Sequence, residues 1–258
     1  MQMQAYFKSG SLFVLTMYRK TIAESKKRII PFTQRLNGHS ALAVAGMLGP
    51  LILFIGDLTA GFSTHGYSML RNSISSLALT SIGWLPTIGF LMLGLLIEIF
   101  AAGLLLNVKS ARWFYVGIAC FVIFGFAMLL IGAFRTDPVG AVRTVEGRIH
   151  GLTATTTFSL FPVALLCFIP SIKRDGNWKN LFRYTGITFI LAVILLIIVR
   201  IFQEKSGWFG LAERLLVLNM IGWVEVAAIR LFFISLKRGA AVPEKILVTG
   251  NQQTVTNN

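Results

Sequence analysis

Six long apolar stretches separated by short polar segments dominate this chain. A helix needs about 20 apolar residues to cross about 30 Å of hydrocarbon at 1.5 Å per residue, and each stretch is long enough. Strands of this hydropathy would leave unpaired backbone groups in lipid, so the stretches are predicted to be helices. The predicted helices cover residues 41–60, 82–106, 113–134, 151–172, 184–202 and 215–236. The pattern predicts an all-α fold, a polytopic membrane protein with a six-transmembrane-helix bundle.

Composition and charge agree with a membrane protein. The 258 residues are 55% hydrophobic and 13% charged, whereas soluble domains are about 25% charged. The net charge of +14 would indicate nucleic-acid binding in a soluble protein. Here the basic residues lie between apolar stretches, as in cytoplasmic loops that face anionic lipid. We therefore expect a multi-pass protein of the cell (inner or plasma) membrane, with membrane lipids and no nucleic acid as partners.

The distribution of Lys and Arg predicts the orientation of the bundle. With the N-terminus inside, sixteen of these residues lie in cytoplasmic segments and six in outer segments. Because cytoplasmic segments are the more basic ones, both termini are predicted inside (N-in/C-in). The predicted organisation is a basic cytoplasmic N-terminal extension at 1–40, a transmembrane domain at 41–236 and a cytoplasmic, disordered tail at 237–258.

Five ionisable residues fall at membrane depth, where charge is costly and marks candidate functional positions. They are Asp57, Glu98, Arg200, Glu225 and Arg230. Asp57 and Arg200 both lie near the outer ends of their predicted helices. Glu98 and Arg230 lie at similar depth from the inner ends and could form an interhelical pair. Such groups could instead serve a transporter or channel, with Glu225, nearest the midplane, on a proton or ion path.

The predicted outer face gathers Ser, His and Asp side chains, the ingredients of nucleophilic catalysis. Spacing alone does not bring them together, and a hydrogen-bonded cap that ties outer loops to helix ends is the alternative. The outer-face residues of interest are Asp57, His65, Tyr67, Asn72, Ser75, Ser76, Arg135, Asp137, Glu146, Arg148, His150, Glu213 and Arg214.

A metal site has weaker support. His65 and His150 with Asp57 or Asp137 could make an open zinc site of two histidines and one carboxylate. The chain has neither the HExxH spacing nor paired CxxC motifs, so no metal is predicted. The sequence identifies no cofactor.

Several short motifs, in this order, resemble a known membrane family. They are Gly49-Pro50, Gly66-Tyr67-Ser68, Arg71-Asn72, Ile74-Ser75-Ser76-Leu77, Phe134 to Pro138, Gly147-Arg148-Ile149-His150, Gly210-Leu211-Ala212-Glu213-Arg214 and Trp223. Together they resemble the bacterial and archaeal family called domain of unknown function 998, over roughly residues 41–236. That family consists of multi-pass proteins with no established activity.

The resemblance places the family's recurrent residues on the predicted outer face. They map onto Tyr67, Ser75, Asp137, His150, Glu213 and Arg214. The family commonly has an acidic residue after the serine of the Ile-Ser pattern, and Ser76 stands there in this chain. A mechanism that depends on that carboxylate is therefore not expected here.

Three functional hypotheses follow. The first is a membrane-embedded enzyme with a polar extracytoplasmic pocket, acting on a lipid or peptide, with Ser75 as nucleophile or ligand, His150 as base and Asp137 orienting it. Arg148 or Arg214 would clamp a phosphate or carboxylate, and Tyr67, Glu213 and Asp57 would complete the binding site. The second is a transporter or channel that uses Glu98, Glu225 and Arg230. The third is a non-catalytic membrane scaffold. The sequence does not identify the small-molecule or lipid ligand.

Overall fold

Six α-helices make up the protein in a computed structural model that describes residues 36–109, 111–202 and 207–255, with side chains up to Gly239. Two short 3-10 helices, Ser75–Leu79 and Lys179–Leu181, lie in the connections, and the described residues contain no strand. The helices are α1 (Gly38–Ser63), α2 (Trp84–Asn107), α3 (Phe114–Ala133), α4 (Val145–Arg174), α5 (Phe182–Ile201) and α6 (Phe209–Val255).

All six predicted membrane spans are confirmed as helices that are long and apolar enough to cross a membrane. The orientation of the termini and the identity of the membrane stay predictions. So do the cytoplasmic extension, most of which lies outside the described residues, and the properties of the tail after residue 236.

Two helices, α4 and α6, begin six residues earlier than predicted. α4 begins at Val145 rather than at residue 151, since the Thr144 side chain caps it by accepting a hydrogen bond from the Gly147 N–H. α6 begins at Phe209 rather than at residue 215. The segments immediately before these two apolar runs are therefore helical, and His150 and Glu213 lie on helices.

The helices form a ring in which each packs on the next, and α6 closes the ring against α1. The centre is filled by aromatic side chains from α3, α4 and α6, with ring centroids between 5.3 and 6.1 Å apart. They are Phe121, Phe124, Phe161, Phe168 and Trp223, each at most 1% exposed. Close packing of this kind holds helices together in lipid, where the hydrophobic effect between them is absent.

The alternating helix directions give the bundle two ends. We call the end that carries the α1–α2, α3–α4 and α5–α6 connections the Tyr67 end, and the opposite end the Asn107 end. Tyr67, Asp137, His150 and Glu213 all lie at the Tyr67 end, which the charge distribution predicts to face outward.

The Asn107 end is held by a hydrogen-bond network that the sequence did not indicate. Asn107 contacts the His39 Nδ1 at 3.0 Å, its carbonyl accepts from the Trp178 indole N–H at 3.1 Å, and its side-chain oxygen accepts from Arg238 at 2.5 Å. The Asp175 carboxylate accepts from the Lys109 backbone N–H at 2.8 Å. These bonds join α1, α2, α6 and the α4–α5 connection.

Candidate functional site

A buried ion pair links α1 to α6 at the Tyr67 end. The Arg214 guanidinium donates to both carboxylate oxygens of Asp57, from Nε to Oδ2 at 3.0 Å and from Nη2 to Oδ1 at 2.9 Å. Each side chain is only 9% exposed. The partner of Asp57 is therefore Arg214 rather than Arg200, which the sequence placed at a similar depth, because helix α6 begins early enough to bring Arg214 level with Asp57.

The same guanidinium also holds the connection between α1 and α2. Nη1 donates to the carbonyls of Met69 at 2.8 Å and Asn72 at 2.9 Å, and Nη2 donates to the Tyr67 hydroxyl at 2.5 Å. That hydroxyl donates in turn to the Ser73 carbonyl at 2.7 Å. Burial raises the pKa of the Tyr67 hydroxyl, although Arg214 beside it acts in the opposite direction. The Arg214 guanidinium therefore donates to acceptors within the protein itself. These contacts form the hydrogen-bonded cap between loop and helix that was the alternative to a catalytic site.

The first turn of α6 approaches the loop so closely that only glycine fits. A Cβ on Gly210 would lie 2.3 Å from the Asn72 carbonyl oxygen. One turn later, the Glu213 carboxylate accepts a 2.7 Å hydrogen bond from the backbone N–H of Ile74, immediately before the 3-10 helix that begins with Ser75. The Glu213 side chain of α6 therefore holds in place the loop backbone next to Ser75.

A cavity of about 210 Å³ lies beside this contact, between the parts of α4, α5 and α6 at the Tyr67 end. Its polar lining includes Ser75, His150, Thr155, Arg200 and Glu213, and its apolar lining includes Phe158, Leu196 and Val199. The structure thus brings together Ser75, His150 and Glu213, which were predicted as site residues. It adds Arg200, which the sequence had marked only as a charge at membrane depth, and Thr155, which no motif had marked.

His150 is held in one orientation and one tautomer. It is 6% exposed, and its Nδ1 lies 2.8 Å from the Phe134 carbonyl oxygen. A carbonyl oxygen can only accept, so Nδ1 carries a proton, and in the neutral form of the ring Nε2 presents its lone pair. The ring nitrogen left free of the carbonyl can therefore act as a proton acceptor.

Asp137 has a different position from the one its predicted role requires. Its carboxylate accepts from the Thr144 backbone N–H at 3.0 Å and from the Thr144 hydroxyl at 2.7 Å, so it supports the cap of α4. Within the described residues, no hydrogen bond joins Asp137, His150 and Ser75 to one another. The backbone carbonyl of Phe134 holds the imidazole where an aspartate was expected.

The other charges at membrane depth do not pair as predicted. Arg230 donates to the Asn177 carbonyl at the Asn107 end, so the predicted pair of Arg230 with Glu98 is wrong. Glu98 instead lies against Gly125 of α3, whose added Cβ would sit 2.6 Å from the Glu98 Oε1. Oε1 of Glu98 and Oε2 of Glu225 are buried and have no hydrogen-bond partner in the described part of the chain.

The remaining predicted site residues lie apart from the cavity. His65 and Arg148 are exposed, on the α1–α2 connection and the first turns of α4. In the ranges that the structure describes, no group of three or more His, Cys, Asp and Glu side chains could hold a metal ion.

Comparison with known proteins gives one result. No curated protein and no solved structure matches the chain. The sequence model of the family described as "Protein of unknown function (DUF998)" matches residues 47–230, which is most of the chain and includes both the ion pair and the cavity. The chain therefore belongs to the DUF998 family.

Proposed function

We propose that this protein is a membrane-embedded enzyme that acts on a lipid or peptide in the cavity at the Tyr67 end. The observation that carries the proposal is the hydrogen bond from His150 Nδ1 to the Phe134 carbonyl, which leaves Nε2 as a base beside a cavity. A histidine oriented through one nitrogen and basic at the other is the arrangement used to activate hydroxyl nucleophiles.

Ser75 is the nucleophile in this proposal. It lines the same cavity as His150, and it begins a 3-10 helix whose preceding residue is bonded to Glu213. A hydroxyl on a backbone fixed in this way loses little freedom when it approaches a substrate. Asp137 acts at a distance in this scheme, by keeping the start of α4, and with it His150, in place.

A serine-directed fluorophosphonate with an alkyl chain tests the proposal. The purified protein in detergent is expected to react at Ser75, and Ser75→Ala should abolish the labelling. Ser76→Ala is the matched control, because the Ser76 hydroxyl donates to the Ser73 carbonyl and does not line the cavity. His150→Gln should lower the labelling rate by about 100-fold or more, as expected for loss of a general base, while His65→Gln should leave it unchanged.

Labelling that persists at full rate in His150→Gln would contradict the proposal. So would a folded wild-type protein, with a normal melting temperature, that the probe does not label at all. Either result removes Ser75 and His150 as a catalytic pair.

Proton or ion transport is a second candidate, favoured by one buried oxygen each of Glu98 and Glu225 that has no hydrogen-bond partner among the described residues. Carboxyl groups at membrane depth are typical of proton-carrying sites. Proton flux into liposomes that contain the protein, lost in Glu98→Gln or Glu225→Gln, would support it. Flux equal to that of empty liposomes would exclude it.

A further inference from the structure

The cavity at the Tyr67 end is polar at its outer part and apolar towards the middle of the bundle. On α4, His150, Ala154 and Phe158 line it at four-residue steps, a single helix face about 12 Å long at 1.5 Å per residue. On α5, Arg200 lies one residue from the helix end and Leu196 lies one turn deeper. This gradient matches an amphipathic molecule with its headgroup at the Tyr67 end and its chain in the membrane.

Among the described residues that line the cavity, Arg200 is a cation and Glu213 an anion. Arg200 makes no hydrogen bond or ion pair with any described residue, so its guanidinium can meet a ligand. Glu213 carries the opposite charge on α6. Arg214 is compensated by Asp57 and does not line the cavity. A headgroup that carries both signs of charge can contact both groups, whereas a headgroup with a single charge can contact only one of them favourably.

We infer that the cavity binds the headgroup of a zwitterionic phospholipid that carries a primary ammonium group, with the phosphate at Arg200 and the ammonium at Glu213. Guanidinium groups bind phosphate oxygens through charge-assisted hydrogen bonds. A primary ammonium has three N–H donors for a carboxylate, whereas a quaternary ammonium has none. The inference rests on the proposed function in treating this cavity as the substrate site, and it names the substrate class.

The acyl chains leave the cavity between α4 and α5. The apolar part of the lining comes mainly from these two helices, through Phe158, Leu196 and Val199. α5 is also the least buried of the described helices, because 22% of the residues in its most apolar stretch are buried, against 39% to 50% for the other five. A lipid can therefore reach the cavity sideways from the membrane.

Lipid retention by the purified full-length protein tests the inference. The protein in detergent is mixed with phosphatidylethanolamine, phosphatidylcholine or phosphatidylglycerol of identical acyl chains, and bound lipid is counted by native mass spectrometry. Phosphatidylethanolamine should be retained about tenfold better than either of the others, the factor for one charge-assisted hydrogen bond. Arg200→Gln and Glu213→Gln should remove this preference. Arg183→Gln, on the same helix at the Asn107 end, should keep it.

A cavity-filling variant tests the location. A Cβ on Gly151 meets no atom within 4 Å, and Gly151 lines the cavity, so Gly151→Leu fills it without a backbone clash. This variant should lose retention of phosphatidylethanolamine by about tenfold or more at an unchanged melting temperature. Gly186→Leu is the matched control, because Gly186 is also open on a helix but lies outside the cavity.

Three results would overturn the inference. They are equal retention of phosphatidylglycerol and phosphatidylethanolamine, wild-type retention by Gly151→Leu, and equal competition by free phosphoethanolamine, which lacks acyl chains. Retention with the expected pattern but no fluorophosphonate labelling of Ser75 would support the lipid site and contradict the proposed enzyme activity. Labelling of Ser75 without lipid retention would support the enzyme activity and contradict the lipid site.

Discussion

Neutralising either partner of the Asp57–Arg214 ion pair should strongly destabilise the bundle. The two side chains are each 9% exposed and share two hydrogen bonds of 2.9 and 3.0 Å. Removing one partner of a buried pair leaves an uncompensated charge and costs about 3–5 kcal/mol. Asp57→Asn keeps the shape and removes the charge, while Arg214→Gln also removes donors to the loop carbonyls. We expect losses of about 3–5 kcal/mol for each, with the larger loss for Arg214→Gln.

A double-mutant cycle measures how much of this loss belongs to the pair. The free energy of unfolding is determined by denaturant titration in mixed detergent micelles for the wild type, both single variants and the double variant. The double variant should lose less than the sum of the single losses, by about 1–3 kcal/mol, because the partners are in contact. Arg148→Gln, which removes an exposed arginine of α4, should stay within about 0.5 kcal/mol of the wild type.

Additive losses in the cycle would refute the reasoning, since they would show that the two charges do not interact across the α1–α6 contact. Single variants within about 0.5 kcal/mol of the wild type, the range of ordinary surface substitutions, would refute it more directly.

Further predictions concern the same end and the topology. Gly210→Ala should lower the free energy of unfolding by about 1–3 kcal/mol, because its Cβ would clash with loop carbonyls, whereas Gly151→Ala, in open space on a helix, should be neutral or stabilising by about 0.5–1 kcal/mol. Because the folded-state pKa of Tyr67 is raised, the neutral phenol stabilises the fold below pH 10, and this contribution is lost as the pH rises through the folded-state value. Unfolding titrations between pH 8 and 12 should therefore show a weaker alkaline loss in Tyr67→Phe, and an unchanged alkaline loss would contradict this assignment. Cysteines introduced as Lys109→Cys and Lys179→Cys should resist an impermeant maleimide added to intact cells, and efficient labelling of both would reverse the predicted orientation.

Hydropathy predicted the helices well because a membrane span leaves the backbone no alternative to the helix. Their ends were less predictable, since Thr144 and Gly147 extend α4 through a cap that apolar periodicity does not register. Depth along a helix also failed to pair the charges. It matched Glu98 with Arg230, but depth says nothing about which side of a helix a residue occupies, and Arg230 instead bonds to the Asn177 carbonyl.

The candidate site was predictable in its residue types and its end of the bundle, but not in its connections. Ser75 and His150 line one cavity, as their shared position on the predicted outer face suggested, whereas Asp137 supports the cap of α4. A main-chain carbonyl orients the histidine, and sequence reasoning has no signal for a backbone group in that role. Arg200 lines the cavity because α5 ends beside α4 and α6. This arrangement depends on how the helices pack, which the sequence pattern does not show.

The adjacent residues Glu213 and Arg214 make different contacts at the Tyr67 end, Arg214 in the buried ion pair and Glu213 at the wall of the proposed ligand cavity. They lie about 100° apart around α6, so Arg214 meets Asp57 of α1 while Glu213 meets the Ile74 backbone and the cavity wall. The ion pair thus sets the rotation and height of the helix that carries Glu213. Loss of Arg214 should therefore disturb the cavity as well as the stability, even though Arg214 does not line it.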